Sequence, residues 1–90
     1  MKEFSENISH NGQLLAVSLT PIFTVKGRIY FVTLKKGRED YFFDMQRTSE
    51  GHWCIVDPQH QWLKNIEKQL SELINHHLYL QNNSGNKGAQ

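Results

Sequence analysis

Asn11-Gly12 is the feature that most restricts what this chain can fold into. Both central residues of a type I′ turn need positive φ, and Asn-Gly meets that need better than almost any other pair. With these two residues in the turn, His10 pairs with Gln13, Ile8 with Leu15, Glu6 with Val17 and Phe4 with Leu19. Phe4, Ile8, Leu15, Val17 and Leu19 then share one face, and Leu14, Ala16, Ser18 and Thr20 share the other. Turn chemistry and period-two patterning specify the same hairpin, in the same register. Pro21 marks the end of the second strand or an edge position, because it has no N–H to give to a ladder.

Three further strands follow. Ile22 to Val25 is either an extended link or a continuation of the second strand. Arg28 to Lys35 is rich in β-formers, and Tyr41 to Gln46 and His52 to Val56 follow after the polar turns Lys36–Asp40 and Arg47–Gly51. Connections this short favour antiparallel neighbours. Asp57-Pro58 then predicts a helix start, with Asp57 as the cap and Pro58 in the first helical position. Leu63, Ile66, Leu70, Leu73, His77 and Leu80 recur at three and four residues and predict one apolar stripe, widened by Trp62 and Ile74, on a helix running to about Tyr79 or Leu80. The expected fold is α+β: a small antiparallel β-meander of four to five strands, an N-terminal hairpin and then three strands, with one long C-terminal helix packed on the sheet. It forms a single domain over residues 1–80, followed by a disordered polar tail over residues 81–90.

One helix covers one face of a sheet, yet the later strands are apolar on both. One register groups Tyr30, Val32, Phe43, Met45, Cys54 and Val56, and leaves Ile29, Phe31, Phe42, Trp53 and Ile55 on the opposite face around Asp44. That second face needs the bending hairpin, a second subunit or a ligand to cover it. Phe31, Phe42 and Trp53 are therefore candidate partner-binding residues. Tyr79 joins them, because Leu78-Tyr79-Leu80 extends the apolar stripe beyond what a small sheet can cover.

Composition narrows the function classes. Ten Lys and Arg against nine Asp and Glu leave a net charge of +1, which gives no electrostatic case for a nucleic-acid or membrane partner. A single cysteine, Cys54, excludes an internal disulfide framework and a multi-cysteine zinc site, and is compatible with the cytoplasm, the expected compartment. No apolar run approaches the ~18 residues of a membrane span.

The cations Lys26, Arg28, Lys35, Lys36 and Arg38 flank one strand and are candidate phosphate-binding residues, although Glu39 and Asp40 sit beside them. Lys26-Gly27-Arg28-Ile29-Tyr30-Phe31-Val32 partly resembles the RNA-binding strand signature. However, Arg28 replaces an aromatic residue, Ile29 replaces a small one, and no helix separates the first strands. A double-stranded-RNA module also ends in three strands and a helix, but its last helix opens on a lysine cluster, and this one opens Asp57-Pro58-Gln59-His60-Gln61.

His52, Cys54, Asp57 and His60 are all ligand types that zinc accepts, but they lack a recognised spacing, and adjacent His76 and His77 point about 100° apart on a helix. Cys54 with His52 or His60 is the one nucleophile–base candidate, and no phosphate loop or nucleophile elbow accompanies it. No metal or cofactor is therefore expected, and no enzyme.

The Asn11-Gly12 hairpin, the aromatic-rich strand Ile29-Tyr30-Phe31-Val32, the Trp53-bearing last strand and the amphipathic C-terminal helix together are similar to short uncharacterised bacterial proteins built as a β-meander followed by one helix. The resemblance covers about residues 3–80. It implies that architecture, carries no activity and transfers no functional residue. The expected function is a non-enzymatic protein-interaction or structural module, with an unidentified protein or a second copy as its partner. The alternative is a weak nucleic-acid-binding module that uses the Lys26–Arg38 group with Tyr30 or Tyr41.

Overall fold

The computed structural model describes the backbone of residues 3–89 and the side chains of residues 3–80. Five strands, β1 (Phe4–His10), β2 (Gln13–Thr24), β3 (Gly27–Lys36), β4 (Glu39–Arg47) and β5 (Trp53–Ile55), precede one helix, α1 (Leu63–Ala89). They form one antiparallel meander in the order β1-β2-β3-β4-β5, an α+β fold. The helix runs to Ala89, past its expected end near Tyr79 or Leu80 and into the stretch expected to be a disordered tail; the side chains of residues 81–90 lie outside those described.

The first hairpin pairs His10 with Gln13, Ile8 with Leu15 and Phe4 with Leu19. Asn11 and Gly12 both have positive φ, at 51° and 76°, as a type I′ turn requires. Ile22–Thr24 continues β2, pairing down to Thr24 and Gly27. Pro21 is tolerated within it because the pairing of β1 with β2 ends at Phe4 and Leu19, so Pro21 lies on a stretch bonded to β3 alone.

The core lies between one face of the sheet and α1. Ile8, Leu15, Val17, Leu19, Tyr30, Val32, Leu34, Phe43 and Met45 from the first four strands meet Leu63, Ile66, Leu70 and Ile74 of the helix. Ile74 stands at the centre of the helical stripe, while Leu80 at its end is exposed.

Two further expectations need correction. The first concerns β5. Trp53 and Ile55 are buried with Tyr30 and Met45, while Cys54 and Val56 turn outward, the reverse of the expected grouping. The tight connection from Arg47 to Trp53 decides the register. Gly51 N–H donates to the Thr48 carbonyl at 3.0 Å and Thr48 N–H to the His52 carbonyl at 2.7 Å, which fixes Met45 against Ile55. A shift of one residue moves every side chain of a strand to the other face. The second correction concerns the helix start, which is Leu63 and not Pro58. Asp57 has a φ of 51°, in the left-handed region, whereas an N-cap residue is extended. The link after it ends in three tight i+3 bonds, from Leu63 to His60, Lys64 to Gln61 and Asn65 to Trp62.

The helix holds both edges of the sheet. At β5, Trp53 N–H donates to Ser71 Oγ at 2.9 Å and Ile55 N–H to Glu67 Oε2 at 2.8 Å. At β1, Gln69 Nε2 donates to the Ser9 carbonyl at 2.9 Å, and the His77 ring stacks on Phe4 at 3.8 Å. Five strands laid flat would separate these edges by about 19 Å, and a helix is only about 10–12 Å across. The sheet therefore curls around α1, with a filled concave face and an open convex one.

Candidate functional site

The convex face carries the first group of candidates. Phe31 and Phe42 stack there, with ring centroids 6.2 Å apart and planes 12° from parallel. Phe42 is 60% exposed and Phe31 half-buried. Ser18 and Thr33 fill the row beside Phe42, and Lys35 and Asp40 pair across β3 and β4 in the next. A shallow groove of about 690 Å³ runs from Phe42 to the serines of β1 and β2.

Trp53 does not join this face. It is only 3% exposed, its ring meets Tyr30 edge-on at 5.0 Å, and its Nε1–H donates to Asn75 Oδ1 at 3.1 Å. Tyr79 is 61% exposed but belongs to the helix, on the other side of the sheet. The four candidate partner residues thus fall in two places, Phe31 and Phe42 on the convex face and Trp53 and Tyr79 around one cleft on the helix side.

The five candidate phosphate-binding cations also separate. Lys26 and Arg28 lie at the β2–β3 end, and Lys35, Lys36 and Arg38 at the β3–β4 end. Arg28 and Lys35 are seven residues apart along one strand, about 23 Å. Lys36 is occupied by Trp62, with its Nζ 4.4 Å from the ring centroid.

The cations at the β2–β3 end stand in a cleft of about 1010 Å³ that sequence reasoning did not find. It opens where the concave face runs past the helix-covered core. Phe23 pairs with Arg28, and Arg47 pairs with Trp53. The β3–β4 ladder ends at Ile29 and Gln46, so Arg28 and Arg47 stand one position beyond its end, on the same face. The row reads Phe23, Arg28, Arg47, Trp53, with Asn75, Leu78 and Tyr79 of α1 above it. The Arg28 guanidinium lies over the Phe23 ring at 5.1 Å. One row deeper, burial pushes the Tyr30 phenol above its ordinary pKa, and the nearby Arg28 charge acts in the opposite direction. The buried Arg28 Nε and Tyr30 hydroxyl have no hydrogen-bond partner among the described residues. Arg47 could have been found from the register of three strands together, since no motif surrounds it.

Cys54 is half-buried on the convex face, His52 N–H donates to Thr48 Oγ1 at 3.2 Å, and the His60 ring meets Tyr41 edge-on at 5.2 Å. Asp44, placed among the apolar residues of its face, is exposed. Among the described residues no three His, Cys, Asp or Glu side chains come together around a possible metal position. No described helix is long and apolar enough to cross a membrane. No family model matches this chain, and neither the curated proteins nor the solved structures contain a match to it.

Proposed function

We propose that this chain is a non-enzymatic interaction module that pairs with a second copy of itself through the convex face of β3 and β4. The observation that carries this reading is the Phe31–Phe42 stack, exposed on a face that no described element covers. A second copy suits the charges around it. Lys35 and Asp40 lie opposite each other across the β3–β4 boundary. A two-fold axis along that boundary sets Lys35 of each copy against Asp40 of the other, the self-complementary arrangement an isologous interface needs. The curl limits the contact to a ridge, so the interface belongs below the ~1,200 Å² of standard complexes and the dimer is concentration-dependent. The lone cysteine and the absence of a disulfide framework support a cytoplasmic setting.

Light scattering coupled to size-exclusion chromatography over a concentration series tests this reading. The mass should rise from one chain, 10.5 kDa, towards two as concentration increases. Phe42→Asp should hold it at one chain with an unchanged circular-dichroism spectrum, because the ring is mostly outside the fold. A monomer at every concentration, or a dimer that survives Phe42→Asp, would sink the proposal.

A further inference from the structure

The cleft at the β2–β3 end presents a chemistry that the self-pairing reading leaves unused. Arg28 and Arg47 both line this cleft from one face of the sheet, one position beyond the last β3–β4 pair; the Arg28 guanidinium leans over Phe23 and an Arg47 Nη lies towards Gly51, at opposite ends of the row. Lys26 adds a third cation, and no carboxylate is among the described residues that line the cleft. Each guanidinium presents a planar fork that matches the oxygens of a carboxylate or a phosphate. The remaining walls are Phe23, Val25, Ile29, Trp53 and Leu78, which suit an apolar body and not a bare ion.

We propose that the cleft binds a small amphiphilic oxyanion, with its carboxylate or phosphate head between Arg28 and Arg47 and its apolar body against Trp53 and Leu78. Arg28 and Arg47 hold the charge, and the aromatic rings at the two ends of the row limit how the head group can slide. Head and body bind together, because the head is drawn out of bulk water only where the rings and the helix exclude it. This site is separate from Phe42, so Phe42→Asp leaves it intact.

The indole N–H signals of Trp53 and Trp62 make the test direct, since only Trp53 lines the cleft and Trp62 lies with Tyr41 and Lys36 at the opposite end. Two-dimensional nitrogen–proton spectra are recorded while the full chain is titrated with dodecanoate or dodecyl phosphate, each kept below its micelle concentration. The Trp53 signal, identified with a Trp62→Phe variant, should shift saturably while that of Trp62 stays in place. Binding of either head supports the proposal, and the tighter one names the source. Arg47→Gln and Arg28→Gln should each weaken binding about tenfold or more, the scale of one charged hydrogen-bonding partner, and dodecanol should bind weaker by a similar factor. Lys35→Gln, on the convex face at the other end, should change nothing. Dodecanol binding as tightly as dodecanoate, inorganic phosphate binding as tightly as dodecyl phosphate, or equal shifts at both indoles would each overturn the proposal. Arg47 is exposed, so Arg47→Gln decides the matter even if Arg28→Gln does not fold.

Discussion

Ser71 shows how much one small side chain can hold. It is the one buried polar side chain among the described residues, and its hydroxyl accepts the Trp53 backbone N–H. Ser71→Ala leaves that buried donor without a partner and should lower unfolding stability by about 1–3 kcal/mol. Urea denaturation measures this, and a loss below ~0.5 kcal/mol would show that another acceptor takes over. Nothing in the sequence marks Ser71, since a serine beside Leu70 reads equally well as a solvent-facing position. His77 was legible as a core-edge residue, because it falls on the apolar stripe. Its ring stacks on Phe4, and desolvation lowers its pKa from the ordinary 6.5, with His76 acting in the same direction and Glu6 opposing. The unfolded chain therefore binds this proton more readily. The stability linked to neutral His77 is complete above the ordinary value and is lost as pH falls below it. His77→Phe keeps the stack and should flatten this part of the profile. Thermal melts between about pH 5 and pH 8 report it, and an unaltered acid-side slope would assign the effect to other groups.

At the scale of elements, the strands that could be read from sequence were those whose register is set by a turn with its own chemistry. Asn11-Gly12 fixes β1 against β2 because two consecutive positive-φ positions leave no choice of pairing. β5 was read with its faces exchanged. It has only three residues, all three apolar, and alternation carries no information when both faces are apolar. Its register comes from the backbone bonds of the Thr48–His52 loop and from α1, which are tertiary facts. The helix stripe was legible in period, and its start was not, because a local cap signal at Asp57-Pro58 does not include the link that carries the chain from β5 to Leu63. Glu67 completes that docking through the Ile55 N–H. Glu67→Ala should speed hydrogen exchange at the Ile55 amide well beyond its effect on the Trp53 amide, which Ser71 holds separately. Glu67→Gln retains an acceptor and should restore much of the protection. Equal acceleration at both amides would mean that β5 opens as one unit.

For the whole molecule, the difficulty of two apolar faces and one helix is reduced by two facts together. The β5 register moves Trp53 and Ile55 inside, and the curl lets one helix fill the concave side from edge to edge. The convex face still keeps Phe31 and Phe42 with Ile22, Ile29 and Val56 among polar neighbours such as Thr20, Thr33 and Asp44, so part of it asks for cover. The cleft follows from the same geometry, because α1 crosses the concave face without closing over the Phe23–Arg28–Arg47–Trp53 row. That row depends on three registers at once, and an error in any one of them scatters it. This is why the nearby cations were grouped along the strand, with Lys35 and Lys36, and not across it with Arg47.

The hold of the helix on both sheet edges has a consequence for how the molecule behaves among its own copies. A sheet grows by recruiting another strand to free donors and acceptors along its border, the step that seeds fibrils. At β5 the outward N–H groups of Trp53 and Ile55 are already committed to Ser71 and Glu67. At β1 the Ser9 carbonyl is committed to Gln69, and alternation leaves outward-facing backbone at Ser5 and Asn7 only, on either side of charged Glu6. Along β1 itself, two positions are too few to template an added strand. The border left uncovered lies on β2 beyond Leu19 and on β4 before Met45, where each strand is bonded to β3 alone; Pro21 interrupts the first and Glu39 and Asp40 charge the second, both of which discourage an added strand.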